Sequence, residues 1–197
     1  MSCLFFYKEE TMKKLIERFH PYNEQEEKDQ AILLKVINQK DVFTRQNQIG
    51  HFTASAWVVN QEKTKVLMCY HKIYDSWSWL GGHVDGNDDF SYVALKEVQE
   101  ESGLKNLRLL DDSIFSLEVL TVDGHMKNNQ YVSSHLHYNV TYLIEAHDDE
   151  LLKVKKDENS ALQWFTLDDS LKASTEPWFV KNIYTKLNQK LRERYDV

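Results

Sequence analysis

GHVDGNDDFSYVALKEVQEESGL, residues 82–104, is the stretch on which the fold turns. Its second half has helical spacing. Ala94, Leu95 and Val98 form an apolar strip, and Gly103 stands where a left-handed residue closes a helix. Positions i, i+3 and i+4 share one helix face, so Glu97, Glu100 and Glu101 project together and repel one another. Lys96 is the one lysine within the run, and it is read as pointing elsewhere. A hard divalent cation removes the repulsion, because Mg²⁺ takes a few carboxylates and completes its shell with waters and substrate phosphates. The residues before the helix suit the same use. Gly81-Gly82 lets the backbone approach a ligand closely, the Gly82 carbonyl can serve as a further oxygen ligand, and Asp88 and Asp89 can cap the helix start.

The arrangement resembles the Nudix box: glycine, five residues, Glu, seven residues, then Arg-Glu-aliphatic-any-Glu-Glu-any-Gly-aliphatic. Here it stands as Gly82, Asp88 and Lys96-Glu97-Val98-Gln99-Glu100-Glu101-Ser102-Gly103-Leu104, with every gap kept. A pattern of 23 residues with fixed gaps is far more specific than a short glycine motif. The likeness extends more loosely over residues 50–170, and Gly81-Gly82-His83-Val84-Asp85-Gly86 looks like one branch of bacterial Nudix proteins.

The resemblance implies an α+β chain, a Nudix-type α/β/α sandwich around a mixed β-sheet. It implies a Mg²⁺-dependent (or Mn²⁺-dependent) pyrophosphohydrolase, in which water attacks phosphorus in the diphosphate linkage between a nucleoside diphosphate and another moiety. Carried over by position, Glu97, Glu100 and Glu101 ligate the ion with the Gly82 carbonyl, and Glu97 is the catalytic base. Asp88 and Lys96 are supporting residues, and both depart from the pattern. Lys96 replaces an Arg whose planar fork would hold a carboxylate more firmly, and Asp88 is one methylene shorter than Glu.

Outward from the box, Met12, Leu15, Ile16 and Phe19 predict a short amphipathic helix over residues 11–19. Asn23 with Glu26 three residues on opens a second helix. Residues 1–45 thus read as an N-terminal helical appendage, and 46–197 as the main domain. Residues 53–59 and 65–70 form β-rich runs, and 77–80 a short extended piece. Strands are expected over 114–122 and 134–146 with Gly124 in the turn between them, and over 161–165. Leu167 to Leu171 starts a turn or helix. Pro177 introduces a long C-terminal helix from Trp178 to Arg194.

Several residues outside the box are candidates. Glu158 is a further acid by family position, or part of an exposed acidic loop. Arg45, Lys72 and Lys127 are the basic residues nearest the site strands and are candidate contacts to substrate phosphates. Tyr74, Trp77 and Trp79 form either core or pocket wall, and Trp77 is a candidate substrate contact. His135 and His137 alternate along one strand and share a face. They read as ordinary sheet-face histidines, as a zinc pair for which no third ligand is evident, or as part of a polar face that continues through Asn139 and Thr141 and lines the substrate cleft.

A net charge of −7 argues against a partner as large as a nucleic acid; a small phosphorylated substrate fits, since a metal ion neutralises carboxylates and phosphates together. Cys3 and Cys69 are too few and too far apart for a disulfide framework or zinc cage. The opening residues read as too short and charged for a signal peptide, and no apolar stretch reaches membrane-spanning length, so the expected setting is cytoplasmic, without a membrane partner. The N-terminal helices and C-terminal helix offer a surface for a homodimer. Two functions remain open: the hydrolase, and a Nudix-fold module that binds a nucleotide without cleaving it. An isopentenyl-diphosphate isomerase shares the fold but needs a cysteine on a distinctive motif, whereas Cys69 sits in a plain apolar run.

Overall fold

The computed structural model describes residues 11–73, 75–127, 129–155 and 159–197. The candidates Tyr74 and Glu158 and the opening ten residues lie outside these. Helices α1 (Met12–Arg18) and α2 (Glu24–Val36) come first. Strands β1 (Gly50–Val59), β2 (Lys65–His71), β3 (Ser76–Ser78) and β4 (Leu80–His83) lead into helix α3 (Phe90–Ser102). Then follow β5 (Arg108–Leu109), β6 (Ser116–Val122), β7 (His125–Lys127), β8 (Gln130–Val132), β9 (His135–Glu145) and β10 (Asn159–Thr166). Helices α4 (Leu167–Ala173), α5 (Pro177–Phe179) and α6 (Thr185–Tyr195) end the chain, with a π-helical turn, Val180–Tyr184, joining the last two.

The main sheet is mixed and runs β10-β2-β1-β9-β5, with β3 beside β2, β4 beside β1 and β6 beside β9. Strand β1 is buried along its whole length, because both its faces are covered. Phe52, Ala54, Ala56 and Val58 pack with Phe90, Val93, Ala94 and Val98 of α3. The alternate residues Trp57 and Val59 pack with Tyr184, Leu187 and Leu191 at the C-terminal end. This is the expected sandwich.

Asn23 caps α2, its side chain accepting the Glu26 N–H at 3.0 Å. Glu26 reaches back to the Tyr22 N–H at 2.8 Å, one residue beyond the usual capping box. Helix α2 lies on β6 and against α6. Glu26 and Glu118, both fully buried, each lie 3.1 Å from Lys186 Nζ, and Lys190 reaches Glu26 at 2.9 Å. Tyr22 also donates its hydroxyl to Glu193 at 2.6 Å. Helices α2 and α6 therefore meet through these charged groups.

Two expectations need correction. The connection between β6 and β9 is not a Gly124 turn but a second two-stranded sheet, β7 with β8. Asn129, at φ 61°, takes the left-handed conformation that such a tight turn needs. Gly124 serves packing instead, since a Cβ there would lie 2.1 Å from the Tyr131 hydroxyl oxygen. The C-terminal helix is interrupted by the π turn, where Thr185 donates its hydroxyl to the Val180 carbonyl at 2.7 Å. Among the described residues, no helix is long and apolar enough to cross a membrane.

Candidate active site

Helix α3 starts at Asp89, whose carboxylate accepts the Tyr92 N–H at 2.9 Å and the Ser91 hydroxyl at 2.7 Å. Asp88 is exposed and does not share this capping role, because only the residue immediately before the first turn can reach those donors. Gly103 closes the helix at φ 73°. With Phe90, Val93, Ala94 and Val98 buried against the sheet, Glu97 and Glu101 lie against β4.

Each glutamate is held differently. Glu101 is buried, and its two oxygens accept the Gly81 N–H at 3.0 Å and the Asn159 amide at 2.8 Å. Glu97 is half-buried and lies across Gly82, where a Cβ would come within 2.6 Å of its carboxyl carbon. Glu100 is exposed and pairs with Lys96 at 3.3 Å. Lys96 therefore does not point elsewhere: four residues apart on a helix is the spacing of a facing pair. Glu100 raises the ammonium pKa by hydrogen bonding and charge.

The loop before α3 is braced from outside. Arg45 grips Asp85 with both arms, at 2.9 and 2.6 Å, and the Gly86 N–H donates to the Phe43 carbonyl at 2.7 Å. Asp85 at φ 46° and Gly86 at φ 88° make the turn. Arg45 is thus engaged with the loop in this structure. Lys72 and Lys127 are exposed. Trp77 packs against Tyr70 and Phe165, with ring centroids 5.4 and 4.9 Å away. Trp79 packs against Tyr184 and Phe179 at 5.8 and 6.3 Å. Cys69 is buried, as expected.

Sequence reasoning missed Asn159. It sits fully buried beside a register shift in β10, and nothing local marks it as a partner of a residue 58 positions away. The expected polar face of β9 exists, but Asn139 and Thr141 are buried and do not line a cleft. Asn139 accepts from Thr53 and Ser55 at 2.9 and 2.8 Å and donates to Glu118 at 2.9 Å. Toward the other end of this face, His135 and His137 meet His51 and His83, which were also missed. The Nε2 atoms of His135 and His137 are 3.2 Å apart. Burial, reinforced by neighbouring imidazoles, lowers the His83 pKa to about 3 and that of His137 to about 2. Burial lowers that of His51 as well.

The NUDIX domain family model matches residues 50–187. The chain belongs to the Nudix family, with the activity class of a Nudix pyrophosphohydrolase. Among solved structures, a C. elegans Ap4A hydrolase binary complex aligns at TM-score 0.53 and 16% identity, covering 74% of this chain and 97% of that one. A Nudix family hydrolase from Clostridium perfringens aligns at 0.52 and 23% identity, covering 73% and 97%. RenU, a Nudix hydrolase from M. smegmatis, aligns at 0.50 and 16%, covering 75% and 87%. At such identities these neighbours share the fold. A search of curated proteins found no match.

Proposed function

We propose that this chain hydrolyses the diphosphate linkage of a nucleoside diphosphate joined to a further moiety, with Mg²⁺ held by Glu97, Glu100, Glu101 and the Gly82 carbonyl. The observation that carries this reading is the seating of the Glu97 carboxylate on Gly82, in space that any other residue's Cβ would fill. Such a cradle puts an acidic side chain directly on the backbone of residue 82, and carboxylate and carbonyl oxygens are the donors that suit a hard cation. When bound, the ion supplies positive charge against the negative charge developing at phosphorus.

The chain's own residues do the rest. Glu97 accepts the proton of the attacking water, since its carboxylate lies at the cradle and is only half-buried. Glu101 is fixed by Gly81 and Asn159, which ties α3 to β4 and β10 and sets the helix register. Lys96 holds Glu100 through one point contact, a looser restraint than a guanidinium fork. Arg45, by gripping Asp85, fixes the loop that leads into the helix. Incubation with nucleoside triphosphates, nucleotide sugars, dinucleoside polyphosphates and coenzyme A, with products identified, tests the reading. Tight binding without turnover of any of these, with Mg²⁺ or Mn²⁺, would instead indicate a nucleotide-binding module.

A further inference from the structure

The sheet face turned away from α3 carries a cluster of imidazoles. Strand pairing assembles it: Thr53 of β1 lies opposite His83 of β4, and His51 of β1 lies opposite His137 of β9. One ring nitrogen from each of His51, His83 and His137 lies within 4.8 Å of the other two. His135 joins them, its ring stacked on His51 with centroids 5.0 Å apart. Residue parity keeps this group separate from the box, because Gly82 turns toward Glu97 while the next residue, His83, turns to the other face.

One hydrogen bond leaves a buried lone pair without a partner at the cluster. His51 is 5% exposed, and its Nδ1 donates to the Asn47 carbonyl at 3.0 Å. The neutral ring therefore presents a lone pair at Nε2, and this buried atom has no hydrogen-bond partner among the described residues. His135 likewise anchors its Nδ1, on the Ser133 carbonyl at 2.8 Å, but its Nε2 is hydrogen-bonded to His137 at 3.2 Å. Metal-ligating imidazoles commonly anchor their second nitrogen in this way, which fixes the tautomer. The 3.2 Å between the Nε2 atoms of His135 and His137 is a hydrogen bond, in which His137 donates to the lone pair of His135. Ordinary packing of neutral rings would leave the His51 acceptor buried and unpaired.

We infer that His51, His83 and His137, with His135 beside them as a hydrogen-bonding neighbour of His137, form a site for a divalent transition ion of the Zn²⁺ class. Imidazole favours such ions over Mg²⁺. The three ligands stand on the sheet face turned away from the box, so an ion here is structural to the strands that carry it. It ties β1, β4 and β9 together and fixes the strand that presents Gly82 on its opposite face.

The test uses the full chain, stripped with chelator and titrated calorimetrically with Zn²⁺ in excess Mg²⁺, with Co²⁺ as a spectroscopic probe. The expected result is one equivalent of Zn²⁺ bound despite Mg²⁺, and intense visible Co²⁺ bands of tetrahedral coordination. His51→Ala and His137→Ala each weaken binding about 100-fold or more, while Glu100→Gln leaves it unchanged. Should those histidine variants fail to fold, the half-buried His135→Ala weakens it about tenfold or more. Substoichiometric Zn²⁺, a pale six-coordinate Co²⁺ spectrum, or affinity lost in Glu100→Gln but kept in His51→Ala would overturn the inference. None of these readouts depends on turnover, so this inference and the proposed hydrolase stand or fall separately.

Discussion

Glu97 lies across Gly82 so closely that a methyl group on residue 82 would sit 2.6 Å from its carboxyl carbon. At the neighbouring glycine the obstacle is different. A Cβ on residue 81 would lie 2.6 Å from both the Ala54 carbonyl oxygen and the Ser55 Cα, which are backbone atoms. A side-chain end can swing aside and backbone cannot, so the two substitutions should fail differently. Gly82→Ala is expected to keep its melting temperature within a few degrees while kcat/KM falls about 100-fold, as for loss of a positioned acid or base. Gly81→Ala is expected to lose about 2 kcal/mol or more of stability. Thermal melts and steady-state kinetics of the pair separate the two effects.

Asn159 is expected to matter through Glu101. Asn159→Ala removes one donor from a buried carboxylate, at a cost of about 1–3 kcal/mol. It should also lower kcat about tenfold by loosening α3 against β10, a positioning effect. Urea unfolding and kcat measured on the same preparation check both halves.

Lys186 is 3% exposed and lies between Glu26 and Glu118. Lys186→Met leaves two buried carboxylates short of a cation and should cost about 3–5 kcal/mol, with partial recovery when Glu118→Gln is added. Burial pushes the Glu26 pKa up, but Lys186 and Lys190 outweigh it and hold it below its ordinary 4.5. A lowered folded pKa contributes stability above the unfolded value that is lost as pH falls through the folded one. Acid unfolding of the wild type below about pH 4.5 should therefore be steeper than in Lys186→Met.

The histidine cluster sets a second pH window for the metal-stripped protein. His83 and His137 have folded pKa values near 3 and 2 against an ordinary 6.5. The unfolded chain therefore takes up protons below 6.5 that the folded chain refuses. Stability present above that pH is lost as pH falls, by about 1.4 kcal/mol per pH unit for each group. Urea midpoints measured between about pH 7.5 and pH 5 should fall accordingly, and His137→Ala should flatten the slope.

The box was legible because its chemistry is local: helix geometry alone places Glu97, Glu100 and Glu101 on one flank. The partnership of Lys96 with Glu100 was equally local, and the spacing rule that grouped the glutamates would have paired them. Asn159 was not legible, because a strand irregularity delivers it to Glu101 from the far end of the sheet. The histidine pair on β9 announced itself by alternation, but His51 and His83 join it only through strand register. Glu26, Glu118 and Lys186 look like surface charges in sequence. Only the packing of the N-terminal helices against α6 makes them core.

Residues 82–104 are proposed to cleave diphosphates. The most direct measurement is turnover of the substrate panel with and without Mg²⁺, run beside Glu97→Gln, with phosphorus-containing products identified. Mg²⁺-dependent cleavage at a phosphoanhydride bond is expected for at least one substrate class, with a fall in kcat of about 100-fold or more in Glu97→Gln. Cleavage that persists without divalent metal, or a Glu97→Gln variant with undiminished kcat, would contradict the proposal.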